Sequence, residues 1–153
     1  MLAIAAFRAA PALAAGTADV SVSGSWSQTI GATALVSGPG SDLTASYVGG
    51  PSDIVLAVTI NGNHSWNVNV RRVDSLWNQN LNLYVQRTSD GTAGSGQVSG
   101  GTAYQLVTAS DQLFFSGTKS QSGFAVQVKL DGVSLQVPPA DYSTTLTFTV
   151  VAL

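Results

Sequence analysis

Short runs in which apolar and polar residues alternate, turn dipeptides about every ten residues, and the lack of any helical periodicity point to one fold class. They predict an all-β domain, an immunoglobulin-like antiparallel β-sandwich, with a jelly roll as the alternative. Composition agrees, since Val and Thr with abundant Ser, Asn and Gln suit pleated strands, while the sequence has no Glu and little Lys, the best charged helix formers. At 153 residues and 44% apolar, the chain has the size of one domain with one core. No internal repeat argues for a solenoid.

Taken in order, residues 1–15 are an apolar tail or the remnant of a signal peptide, 16–30 an N-terminal strand, and 31–153 the sandwich. Residues 1–7 are mostly apolar, and Ala12-Leu13-Ala14 supplies the small-x-small pattern that signal peptidase reads, so the expected address is secreted and extracellular. If the tail stays attached and ordered, it must bury itself against a neighbouring subunit. From Asp19 onward Val20, Val22 and Trp26 fall on one face and serines on the other, with Gly24 in the apolar register marking a bulge or a close approach. Residues 43–48 form a short strand that Gly49-Gly50-Pro51 ends. The nearly continuous apolar run 53–60 suits a central strand, and Asn61-Gly62-Asn63 turns it back into 64–73 as a hairpin.

Residues 80–87 alternate again, with Leu81, Leu83 and Val85 opposite Asn82, Tyr84 and Gln86. The glycine-rich stretch 89–101 reads as a mobile surface loop. Short strands follow at 104–108 and 112–116. Phe124, Val126, Val128 and Leu130 then alternate up to Asp131-Gly132, a strong hairpin dipeptide, which predicts a return strand over 133–137. Pro138-Pro139 breaks the ladder, and a last strand over 142–151 points Leu146, Phe148 and Val150 inward.

Chemistry-bearing residues are sparse. Six Lys and Arg spread along the chain, with a net charge of −2, argue against nucleic acid as a partner. The sequence has no cysteine and a single histidine, His64, placed in a predicted turn, so nucleophilic triads and transition-metal sites lack their parts. The eight Asp stand mostly beside turns, where carboxylates bond backbone, and a calcium loop near Asp90 and Asp111 stays open as an alternative. The glycine-rich stretch has no Lys and no strand-to-helix context for phosphate. The expectation is a protein that is not an enzyme, with no cofactor and no resident metal. No apolar run approaches the ~18 residues of a membrane span. Asn63-His64-Ser65 matches a glycosylation acceptor on an exposed turn. Trp26 and Trp66 share register with valines and belong to the core. Trp77 sits in a turn-like segment, and Tyr84 lies on a polar face with Asn82. Such a set fits a subunit contact first and a glycan-stacking surface second.

The segment Val137-Pro138-Pro139-Ala140-Asp141-Tyr142-Ser143-Thr144-Thr145-Leu146-Thr147-Phe148-Thr149-Val150 resembles the C-terminal signature of secreted pilin-like domains of the spore coat protein U and chaperone-usher type, in which a Tyr-bearing turn leads into a Thr-rich last strand. The resemblance covers about fifteen residues closely, and the disulfide of many such pilins cannot form here. It implies an extracellular structural subunit, a homo-oligomer or homopolymer, built by inter-subunit β-strand complementation. Its donor strand would carry Val20, Val22 and Trp26. The alternative is a secreted carbohydrate-binding or adhesin module using Trp77, Tyr84 and Asn82 on a cell-surface glycan.

Overall fold

The computed structural model describes residues 2–4, 8–10, 17–93 and 96–153, and the protein is an all-β sandwich. Its strands, in chain order, are β1 (Leu2–Ile4), β2 (Arg8–Ala10), β3 (Ala18–Gly24), β4 (Trp26–Gln28), β5 (Ser46–Val48), β6 (Ile54–Ile60) and β7 (Ser65–Leu76), followed by β8 (Asn82–Arg87), β9 (Thr92–Ala93), β10 (Val98–Gly100), β11 (Gln105–Leu106), β12 (Gln112–Thr118), β13 (Gln121–Asp131) and β14 (Ser143–Ala152). One 3-10 turn, Ala32–Ala34, interrupts them. The first layer runs β10-β12-β7-β14-β2 and the second β11-β8-β13-β6-β3, with β5 and β9 also paired to the long β13. Among the described residues every ladder is antiparallel except β14 with β2. These ladders establish the sandwich and leave its immunoglobulin-like variant aside.

Alternation places the core as the sequence predicts. Ile54, Leu56, Val58 and Ile60 of β6, Leu83 and Val85 of β8, and Phe124, Val126, Val128 and Leu130 of β13 face Trp66, Val68, Val70, Leu146, Phe148 and Val150 of the opposite layer, all buried. At the centre the Trp66 indole meets Phe115 and Phe124 edge-on at 5.7 and 5.8 Å, and donates its N–H to the Lys119 carbonyl at 2.7 Å. A buried indole thus keeps its polar atom satisfied while its ring fills the space between layers.

Three expectations are overturned. The strands flanking Asn61-Gly62-Asn63 do not form a hairpin: β6 pairs with β3 and β13, β7 pairs with β12 and β14, and the turn carries the chain from one layer to the other. Nor does Asp131-Gly132 make one. Residues 133–137 are not a strand, and the last residues of β13 pair with β5 and β8 instead. Asp131 is spent on Lys129 and Ser46, and Gly132, at φ +86, lets the backbone pass the Asn80 carbonyl too closely for any side chain.

The third concerns the glycine-rich stretch, which is not a loose loop in its described part. It contains β9 and β10, and Arg87 ties it down. The Arg87 side chain, 3% exposed, donates to the Gly100 carbonyl at 2.9 and 3.1 Å and to the Ser89 carbonyl at 2.8 Å, and pairs with Asp90. A buried guanidinium needs this many partners, and the small residues around it let the backbone come close enough to supply them.

Candidate functional site

Val20 and Trp26 are buried and Val22 half-buried, all within the chain's own β3 and β4; β3 is hydrogen-bonded to β6 from Ala18↔Ile60 to Gly24↔Ile54. Gly24 is the close approach its register signalled: at φ +103 it faces the Asp53 carbonyl with no room for a Cβ. Before β3, two short strands engage the edges of the sandwich. Leu2–Ile4 pairs antiparallel with β4, and Arg8–Ala10 lies parallel to β14 at Thr147, Phe148 and Thr149. The two described stretches thus both lie against the last strand, and Arg8–Ala10 also lies against β3. Ala12 and Ala14, which carry the cleavage pattern, lie outside the described residues.

Trp77 and Tyr84 have separate surroundings. Trp77 packs half-buried against the core, donates its indole N–H to the Leu81 carbonyl at 3.0 Å, and carries the Arg72 guanidinium 5.1 Å from its ring centre. Tyr84 stands on the outer face of the second layer. Cross-strand register sets Lys129 opposite Tyr84, Gln127 opposite Gln86 and Asp131 opposite Asn82. The Lys129 ammonium lies 4.5 Å from the Tyr84 ring centre and 5.0 Å from that of Tyr104, and binds Asp131 at 2.7 Å. Among the described residues, no ring contact joins Trp77 to Tyr84.

A hydrogen-bond network fixes this face. Gln127 Oε1 accepts from the Tyr104 hydroxyl at 2.9 Å and from Gln86 Nε2 at 3.0 Å, while Gln127 Nε2 donates to the Gly49 carbonyl at 2.8 Å. Ser46 donates to Asp131 at 2.5 Å. Burial by itself would raise the Asp131 carboxyl, but the hydrogen bonds from Lys129 and Ser46 outweigh it and hold the group below its ordinary value. The bond to Asp131 raises the Lys129 ammonium, against the opposing effect of burial. The sequence singled out Tyr84 and Asn82 here and missed Tyr104, Gln127, Lys129 and Asp131. Alternation in 124–130 signalled an outward Gln127 and Lys129, but only the β8–β13 register shows which residues they meet.

One end of the sandwich holds an apolar cavity of about 220 Å³, lined by Ile30, Leu43, Leu81, Leu130, Pro138 and Tyr142 among others. The Tyr142 hydroxyl is turned back onto the Pro138 carbonyl at 2.6 Å. The carboxylates the sequence left open for calcium both meet arginines, Asp90 with Arg87 and Asp111 with Arg71 at 3.6 Å. His64 is exposed at the turn between layers. No helix among the described residues is long and apolar enough to cross a membrane. Comparison with protein-family models, with curated proteins and with solved structures finds no match in any of the three.

Proposed function

We propose that the chain is an extracellular structural subunit, pilin-like, which assembles into a filament or surface layer by exchanging an N-terminal β-strand with its neighbour. The observation that carries this reading is the seat of Arg8–Ala10 on the outer edge of β14. That strand is ten residues long, and among the described residues the ladder on its outer side spans three of them. A long edge invites strand addition, and ladders of three residues exchange at small cost. The same ladder made by a neighbour's segment would link subunits without creating any new contact type. Removal of residues 1–15 by a signal peptidase would bare the β14 edge altogether, with the same demand for a partner strand.

On this reading the exchanged strand lies before Thr17, because β3 and β4 fill the chain's own core. Handing over Val20 and Trp26 would empty the chain's own core, at about 2–5 kcal/mol per large side chain until a partner refilled it. The low charge and the hydroxyl- and amide-rich composition suit a densely packed wall of identical subunits, and the sequence of the Thr-rich last strand resembles that of pilin-like domains.

The test is a deletion of residues 1–16, compared with the full chain by negative-stain microscopy and by sedimentation. The full chain should form filaments over time, and the deletion should remain soluble β protein with an unchanged far-ultraviolet spectrum. A synthetic peptide of residues 1–16 should cap growth of the full chain. Filaments unaltered by the deletion would dispose of strand exchange.

A further inference from the structure

The outer face of the second layer is built as a surface for something neutral. Outward residues of neighbouring strands form a grid about 14 Å on a side, given the spacing of strands and of alternate residues along them. At its centre the Tyr84–Lys129 row continues to Leu106 on one side and Val48 on the other, which are 41% and 53% exposed. Apolar and aromatic groups thus stand beside amides across a partly exposed sheet face.

Three physical features narrow the ligand. First, the charges cancel: Lys129 and Asp131 are the ionic groups at the middle of the face, and they are bound to each other at 2.7 Å. A polyanion or polycation gains nothing there. Second, the face is ordered in advance. Gln127 is held by three hydrogen bonds, the Tyr104 hydroxyl by Gln127, and both tyrosine rings flank one ammonium, so little side-chain freedom remains to be lost on binding. Third, polar capacity is left over. The Asn82 amide, the Tyr84 hydroxyl and Gln86 Oε1 make no hydrogen bond to the described residues, although their neighbours are fully engaged.

We propose that this face binds a neutral polysaccharide, with Tyr84, Leu106 and Val48 meeting the C–H faces of sugar rings and Asn82, Tyr84 and Gln86 bonding their hydroxyls. A sugar ring offers both surfaces at once, and hydroxyls that donate and accept match an amide row. A second copy of the chain fits less well. The dry centre of a protein interface is depleted of charge, and burying the Lys129–Asp131 pair there would cost its desolvation, whereas a wet glycan contact leaves the pair hydrated.

The proposal is independent of strand exchange, and its test separates the two. The full chain and the 1–16 deletion are co-sedimented with insoluble cellulose and with chitin, and run by affinity electrophoresis in gels containing a soluble mixed-linkage β-glucan. Both forms should be retained by at least one of the three, and retention should survive salt that shortens electrostatic reach to about 3–5 Å. Tyr84→Ala should bind about ten-fold more weakly with an unchanged spectrum and unchanged filaments. Gln86→Ala provides the same reading should Tyr84→Ala not fold. Retention by none of the three, equal retention of both variants, or loss of retention in salt overturns the proposal. So does a Tyr84→Ala chain whose altered property is self-association, which would make the face a contact between copies.

Discussion

At the scale of single residues, the structure is decided by a few polar groups that must be satisfied where burial leaves no water. Arg87 is the clearest. Its guanidinium closes the carbonyls of Ser89 and Gly100, so Arg87→Met keeps most of the apolar stem and leaves those acceptors without a partner. The expected loss is about 3 kcal/mol, read as a lower urea midpoint at constant slope, with new proteolytic cleavage between residues 88 and 101. A loss below about 0.5 kcal/mol would show that the stretch holds itself.

The Lys129–Asp131 pair makes a pH-dependent counterpart. The Asp131 carboxyl is lowered on folding, so its contribution is complete above about pH 4 and disappears as pH falls through the lowered folded value. The Lys129 ammonium is raised, so its share is complete below about pH 10 and disappears as pH climbs through the raised folded value. Wild type should therefore exceed Asp131→Asn by about 1 kcal/mol near neutrality, and the gap should close below about pH 4. All other carboxylates are common to both chains, so a gap that persists unchanged to pH 2 would exclude this pair as its source.

Elements show where the sequence was legible and where it was not. Alternation assigned the faces of β7, β8, β13 and β14 correctly because burial of one face leaves a period-two trace in the residues themselves. Gly24 was legible for a related reason: a glycine in an apolar register has to mean that something else occupies its place. Partner choice left no such trace. Asn61-Gly62 and Asp131-Gly132 are good turns in isolation, but the turn fixes only the local reversal, and the apolar faces on both sides decide which layer each strand joins. On the second layer's outer face the same limit applied: Tyr84 and Asn82 share one strand and could be grouped from sequence, whereas Tyr104 and Gln127 reach them only through register.

Gly117 illustrates an element-scale constraint that register alone reveals. It stands opposite Trp66 on β7, and a Cβ there would collide with the Trp66 ring and lie 2.8 Å from the Gln97 carbonyl. The glycine is the floor on which the central indole rests. Gly117→Ala should cost about 1–3 kcal/mol by overpacking, with a shifted Trp emission because the indole must move off its bond to Lys119. Unchanged emission and stability would mean that β12 yields instead.

The whole molecule has one property that no element announces: among the described residues, no two strands consecutive in the chain pair in a backbone ladder. From β6 to β7, β7 to β8, β12 to β13 and β13 to β14 the chain changes layer each time. Each ladder therefore closes a loop before any backbone bond rewards it, and β7 gains its central position only when β14, nearly seventy residues later by the pairing of Leu76 with Ser143, arrives beside it. Loop closure paid in advance slows folding, so refolding should take on the order of 0.1–10 s, at the slow end for all-β domains. Unfolding should be slow as well, since no local hairpin can peel away alone. Stopped-flow fluorescence reads both limbs through Trp66, whose ring is fully buried at the junction of the layers. A chain ending at residue 142 should lack cooperative unfolding altogether, because β7 would lose its longest ladder. Refolding in under about a millisecond, or a cooperative transition in that truncated chain, would show that a local nucleus exists which these ladders do not contain.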